Sequence, residues 1–141
     1  MKKEVHLPKF LVVGTAKSGT TSLFHYLNQH PNICLPIKES QLFNNPDLLN
    51  EIKSNNHTKD KNEIISTLND YKKTYQIAKN KSEIIGEIGT GYLYDFSYSI
   101  PKIKEVLGDI PIIIILRNPT DRAYSSYQHF VKLAKGDPTF E

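Results

Sequence analysis

The chain has 141 residues, with 18 Lys and Arg against 15 Asp and Glu, for a formal net charge of +3. That length is enough for one domain, which buries roughly 68–70% of the surface its unfolded form exposes. The mild, dispersed basic excess argues against nucleic acid as a partner but suits an anionic ligand. Cys34 is the only cysteine, which excludes an intrachain disulfide, and it reads as a small buried hydrophobe. Met1–Pro8 carries two lysines but no apolar core of a leader, and no run approaches the roughly 20 apolar residues that span a membrane. A soluble, cytoplasmic protein is expected.

Phe10–Val13 is a short β-branched run that reads as a strand buried on both faces, as in parallel sheets. Gly14 to Gly19 is a glycine-bounded turn, and Thr20–His30 reads as a helix stopped by Pro31. Ile33–Leu35 is a second short strand. From Asn44 to Glu63 the chain is polar and reads as a loop or short helix. The spacing of Ile64, Leu68, Tyr71, Tyr75 and Ala78 predicts a helix over 64–79. Ile84–Ile88 is a third strand, and Ser99–Leu107 a helix with Pro101 in its first turn and Gly108 at its end. Ile112–Leu116 is the clearest strand of all. Pro119 then opens a last helix whose apolar side is Tyr124, Tyr127 and Val131. Strands alternating with helices imply an α/β fold, a parallel sheet covered on both faces.

Two of the connections have the chemistry of anion sites. Gly14-Thr-Ala-Lys17-Ser18-Gly19-Thr20-Thr21-Ser22 joins a strand to a helix N-terminus, where free backbone N–H groups and the helix dipole attract phosphate. Gly14, Gly19 and Thr21 match the P-loop spacing G-x-x-x-x-G-K-[ST], but Thr20 stands in the lysine position and Lys17 lies inside the loop. Such a lysine sits beside a single phosphate and whatever leaves from it. The bland alternative is an ordinary strand-to-helix turn. The second connection is Arg117-Asn-Pro119-Thr-Asp-Arg122-Ala-Tyr-Ser125. Arg117 emerges at the carboxyl edge of the sheet, where open α/β sheets bind ligands. Arg122 and Ser125 share a helix face, and Arg117 with Ser125 offers one phosphate a guanidinium fork and a hydroxyl. The alternative is that the arginines pair with Asp121 or other carboxylates. Two anion loops of different chemistry point to a ligand with phosphates at two places.

This pair of segments resembles the sulfotransferase family. Lys17–Leu23 is similar to its 5′-phosphosulfate loop, and Arg117–Tyr127 to its 3′-phosphate motif R-x-P-x-x-R-x-x-S. Lys38-Glu39-Ser-Gln-Leu-Phe43 resembles the family's K-E-x-H-F-F, and Gly86-Glu-Ile-Gly-Thr-Gly-Tyr92 its G-E-x-[ST]-x-x-Y. The closest flavour is the branch of heparan sulfate sulfotransferases and their bacterial relatives. The resemblance implies a three-layer α/β/α fold of the P-loop nucleoside-triphosphate-hydrolase type. Residues 1–141 would form the N-terminal part of such a domain, without a counterpart of its downstream portion. It further implies 3′-phosphoadenosine 5′-phosphosulfate (PAPS) as co-substrate, no metal, and transfer of its sulfuryl group to an acceptor hydroxyl, of a glycan for preference.

By the same resemblance, Glu39 is the general base and Lys17 stabilises charge on the bridging oxygen. Ser18, Gly19, Thr20, Thr21 and Ser22 hold the 5′-phosphate with Lys17, and Arg117 and Ser125 hold the 3′-phosphate. Two positions depart from the pattern: Gln41 replaces the histidine, and Ile88 stands where heparan-type members carry lysine. Glu87 is expected to be structural, and Glu39 has the alternative of a surface carboxylate beside Lys38. Competing functions are a P-loop kinase, opposed by the missing lysine after Gly19, and a non-catalytic nucleotide-binding module.

Overall fold

A computed structural model describes residues 6–47, 50, 65, 67–78 and 84–134. Its elements in chain order are β1 (Phe10–Val12), α1 (Thr20–Asn28), β2 (Ile33–Cys34), α2 (Leu68–Ala78), β3 (Ile84–Ile88), α3 (Phe96–Leu107), β4 (Ile112–Ile113) and α4 (Pro119–Ala134). The four strands form one parallel sheet in the order β2-β3-β1-β4. The expected polar stretch over 51–63, Ile64 and Lys79 of the helix read over 64–79, and the final 136–141 lie outside the described residues.

Successive side chains on a strand point to opposite faces, and β1 uses this to feed two cores. Leu11 and Val13 enter the larger cluster with Phe43, Tyr71, Tyr75, Ile85, Tyr92 and Ile103, which joins α2 and α3 to the sheet. Val12 enters the other with Leu35 and Ile88, under Leu23, Phe24 and Leu27 of α1. The result is the three-layer α/β/α arrangement expected. Each fully buried Leu, Val or Ile contributes about 1.5–3 kcal/mol relative to exposure, so these faces supply much of the driving force for folding. Gly86 lies opposite Phe10 in the register, and a Cβ there would meet the Phe10 ring at 2.1 Å. Only glycine lets that ring cross the strand.

β1 and β2 each end one residue earlier than the sequence reading, and α2 starts only at Leu68, with Ile65 and Thr67 outside it. Three further boundaries differ for a visible reason. α1 ends at Asn28 rather than His30, because the Asn28 amide accepts from Leu35 N–H at 2.8 Å and donates to Leu35 C=O at 3.1 Å. That clamp turns the chain into β2. α3 starts at Phe96, so Pro101 stands inside it rather than in its first turn. The Asp95 carbonyl accepts from both Tyr98 and Ser99 N–H, nucleating the helix upstream of the proline. The third difference is at β4. The strand expected over Ile112–Leu116 is confined to Ile112–Ile113, and beyond it Ile115 bonds to Gly14 and Thr15 of the glycine turn rather than to β1. Nor is this flank covered on both faces: Ile112, Ile113, Ile114 and Leu116 are 41–75% exposed, and Tyr124, Tyr127 and Phe130 of α4 are exposed as well.

Candidate functional site

The glycine turn sits at the carboxyl end of β1. Thr15 N–H donates to Ile115 C=O at 2.8 Å, and the Thr15 hydroxyl lies 2.5 Å from that of Ser18, which braces the loop across its base. Lys17 takes the left-handed conformation at φ 64°, and Gly19 does so at φ 94° immediately before α1. Gly19 makes no side-chain cap, and a Cβ there would meet nothing within 4 Å. The first N–H groups of a helix lack intrahelical partners. Those of α1 follow directly on the turn that carries Lys17, a donor set suited to an anion.

Arg117 closes the distance between the two motifs. Its Nη1 donates to the Lys17 carbonyl at 3.2 Å, across a hundred residues of sequence. Among the described residues no carboxylate pairs with Arg117 or Arg122. Ser125 is half-buried on α4, one turn beyond Arg122.

The third part is the segment after β2. Glu39 N–H donates to Ile88 C=O at 2.7 Å, extending the sheet beside Gly89. The Glu39 carboxylate is part-exposed and receives Lys38 Nζ at 3.1 Å and the Thr90 hydroxyl at 3.2 Å. It faces a cavity of about 120 Å³ lined also by Gln41, Asn44, Gly91 and Tyr92. Gln41 Oε1 and Asn44 Oδ1 are buried without a hydrogen-bond partner. Larger hollows of about 400 and 300 Å³ lie along α3, away from Lys17 and Arg117, so size does not locate the chemistry here.

Behind Glu39 lies Glu87, wholly buried. Ser40 Oγ and Tyr92 OH each donate to its Oε1 at 2.5 Å, and Tyr75 OH donates to Oε2 at 3.0 Å together with Tyr71 OH. An ionised carboxylate has about four lone-pair sites, and four hydroxyls fill them. Burial, and then the nearby Glu87 charge, pushes the Tyr71, Tyr75 and Tyr92 hydroxyls well above the ordinary phenol range.

Comparison with known proteins agrees with this arrangement. The model of the sulfotransferase family matches residues 8–139. The chain belongs to that family. A crystal structure of a sulfotransferase from Alicyclobacillus acidocaldarius superposes with a TM-score of 0.76 at 31% identity, over 97% of this chain and 54% of that one. Among curated relatives, the bifunctional heparan sulfate N-deacetylase/N-sulfotransferase 4 of Mus musculus is 34% identical over 126 residues, 88% of this chain and 13% of its own length. The corresponding enzyme 2 of Homo sapiens is 33% identical over 139 residues, 94% and 14%. The membrane-associated sulfotransferase kil1 of Dictyostelium discoideum is 30% identical over 131 residues, 92% and 24%. The chain thus spans less than a quarter of these curated relatives.

Within the sulfotransferase fold, the residues singled out from sequence gather at one end of the sheet. Lys17, Ser18, Gly19, Thr20, Thr21 and Ser22 form the loop and helix start, with Arg117 held against it. Glu39 stands beyond the end of β3, against Thr90. Ser125 makes no hydrogen bond to Arg117, so these two are brought to one flank but not together. Glu39 does pair with Lys38, as the surface alternative anticipated, yet Thr90 reaches it from across the sheet as well. Sequence reasoning missed Ser40 and Thr90 as parts of the site's support, and Tyr71 and Tyr75 as partners of Glu87. The available signal was a glutamate inside an apolar strand, with two tyrosines four residues apart on a helix. No helix among the described residues is long and apolar enough to cross a membrane.

Proposed function

We propose that this chain is a PAPS-dependent sulfotransferase, or the donor-binding and base-bearing part of one, acting on a carbohydrate hydroxyl. The observation that carries the reading is the Arg117 Nη1 to Lys17 carbonyl bond at 3.2 Å, which joins two anion-binding motifs at one edge of the sheet. A ligand with phosphates at two places fits that juxtaposition better than a nucleoside triphosphate does, since Thr20 replaces the P-loop lysine.

In this reading the N–H groups and hydroxyls of Ser18–Ser22 hold the 5′-phosphate, and Arg117 with Ser125 holds the 3′-phosphate. PAPS supplies an activated sulfuryl group. Lys17 balances negative charge growing on the oxygen that departs from it. Glu39 accepts the acceptor's proton as a general base, and the cavity beside it receives the reacting group. Lys38 and Thr90 hold the carboxylate in one orientation. Gln41 and Asn44 line that same cavity with polar side chains, which suits a hydroxyl-bearing acceptor.

A second reading concerns only the acceptor atom. Two of the relatives are named as heparan sulfate N-sulfotransferases, which favours an amine in place of the hydroxyl, and Glu39 serves either. De-N-acetylated and N-acetylated forms of one glycosaminoglycan separate the two, since only the first offers an amine. The cytoplasmic location is likewise proposed, and cell fractionation checks it.

The test of donor use is a thermal shift. Adenosine 3′,5′-bisphosphate without Mg²⁺ is expected to stabilise the chain, and ATP to do so little. Stronger, Mg²⁺-dependent stabilisation by ATP overturns the reading in favour of a kinase. Donor binding with no transfer to any acceptor makes the chain a binding module.

A further inference from the structure

Glu39 and Gln41 are both left-handed, at φ 62° and 63°, although neither is glycine or asparagine. L-residues avoid this conformation, and it persists only where the surroundings over-determine it. The residue between them supplies the restraint. Ser40 is wholly buried, its hydroxyl donates to Glu87 Oε1 at 2.5 Å, and its carbonyl accepts from Ile65 N–H at 3.2 Å. With Ser40 pinned inward, its two neighbours are turned toward the cavity, where Glu39 meets Lys38 and Thr90.

Among the described residues no cation pairs with Glu87, and such a buried carboxylate is a poor choice for stability alone, since an apolar side chain of similar volume avoids desolvating a charge. What a carboxylate provides, and an apolar group does not, is directional acceptance of several donors at once. Here one oxygen holds the Ser40 segment and the other holds Tyr71 and Tyr75 of α2. We infer that Glu87 is a positioning residue: through Ser40 it fixes the backbone that aims the Glu39 carboxylate. The inference rests on the reading of Glu39 as the base, but its test has a readout that does not.

That test compares two single-hydroxyl deletions in the full chain. Ser40→Ala removes the donor to Oε1 that leads to Glu39, and Tyr75→Phe removes a donor to Oε2 that leads away from it. Amide hydrogen exchange is followed by NMR at Glu39, alongside affinity for adenosine 3′,5′-bisphosphate and turnover of PAPS. Ser40→Ala is expected to speed exchange at Glu39 by about tenfold, and to lower kcat similarly with donor KM within about twofold. Tyr75→Phe is expected to lower Tm while leaving Glu39 exchange and kcat within about twofold. If both variants change Glu39 equally, or Ser40→Ala leaves it unchanged, Glu87 is a structural residue only. Should Ser40→Ala not fold, Glu87→Gln keeps the volume and takes its place with the same expectation at Glu39. A wild-type chain that binds no adenosine bisphosphate sinks the donor reading, while the exchange comparison still decides the role of Glu87.

Discussion

β3 and β4 flank the same central strand, yet they live in different surroundings. On the β3 side Ile85 and Ile88 are buried, Glu87 has its four hydroxyls, and the Glu39 backbone is bonded to Ile88. On the β4 side Ile112, Ile114 and Leu116 are 47%, 49% and 75% exposed, and Arg117 is held by one hydrogen bond to the Lys17 carbonyl. The Glu39 carboxylate is therefore placed by the folded interior, whereas the Arg117 arm rests on few contacts. A ligand that binds the arm adds stability there, which makes the two flanks separable by experiment.

The largest effect is expected at Glu39. Glu39→Gln should lower turnover by about 10²–10⁴-fold, the usual contribution of a general base, with adenosine bisphosphate affinity unchanged in a titration; retained turnover removes Glu39 from the mechanism. Leu11→Ala, in the larger core, should lower unfolding free energy by about 2–5 kcal/mol in urea. Arg117→Ala should weaken adenosine bisphosphate binding by about 10- to 100-fold while leaving Tm of the free chain nearly unchanged. An equal loss of Tm would mean that the β4 flank is braced as firmly as the β3 flank.

Alkaline pH probes the Glu87 side alone. The hydroxyls of Tyr71, Tyr75 and Tyr92 are raised in the fold, so their stabilising contribution is intact below the unfolded value of about 10. Above it the unfolded chain releases protons that the folded chain keeps, and stability falls with rising pH. Each tyrosine adds about 1.4 kcal/mol per pH unit to that decline, and Tyr71→Phe should make it shallower. The smallest effect is expected for Leu116→Ala, within about 0.5 kcal/mol. A larger loss would show that the exposed β4 run is covered in solution.

The sheet was readable because Phe10–Val13 and Ile84–Ile88 are β-branched runs of strand length, bounded by turns. The turn from β1 into α1 was readable because its glycine spacing marks it locally. Glu87 was read only as structural, since its partners arrive from three other segments and a hydroxyl's target is set by tertiary packing. The left-handed pair Glu39 and Gln41 carried no local sign either, because glycine and asparagine are the residues that announce that conformation. β4 was overread: five apolar residues predict a strand, but its length depends on how far β1 runs beside it.

Among the described residues, Lys17, Glu39 and Gln41 are the only non-glycine residues with positive φ, and all three border the site. Each is strained by an amount of order 1–3 kcal/mol, so glycine at any of them is a ready route to a hardier protein. Selection for heat resistance would find these substitutions early and would erase the lysine or the carboxylate with them. Directed evolution of this chain therefore needs an activity screen from its first round.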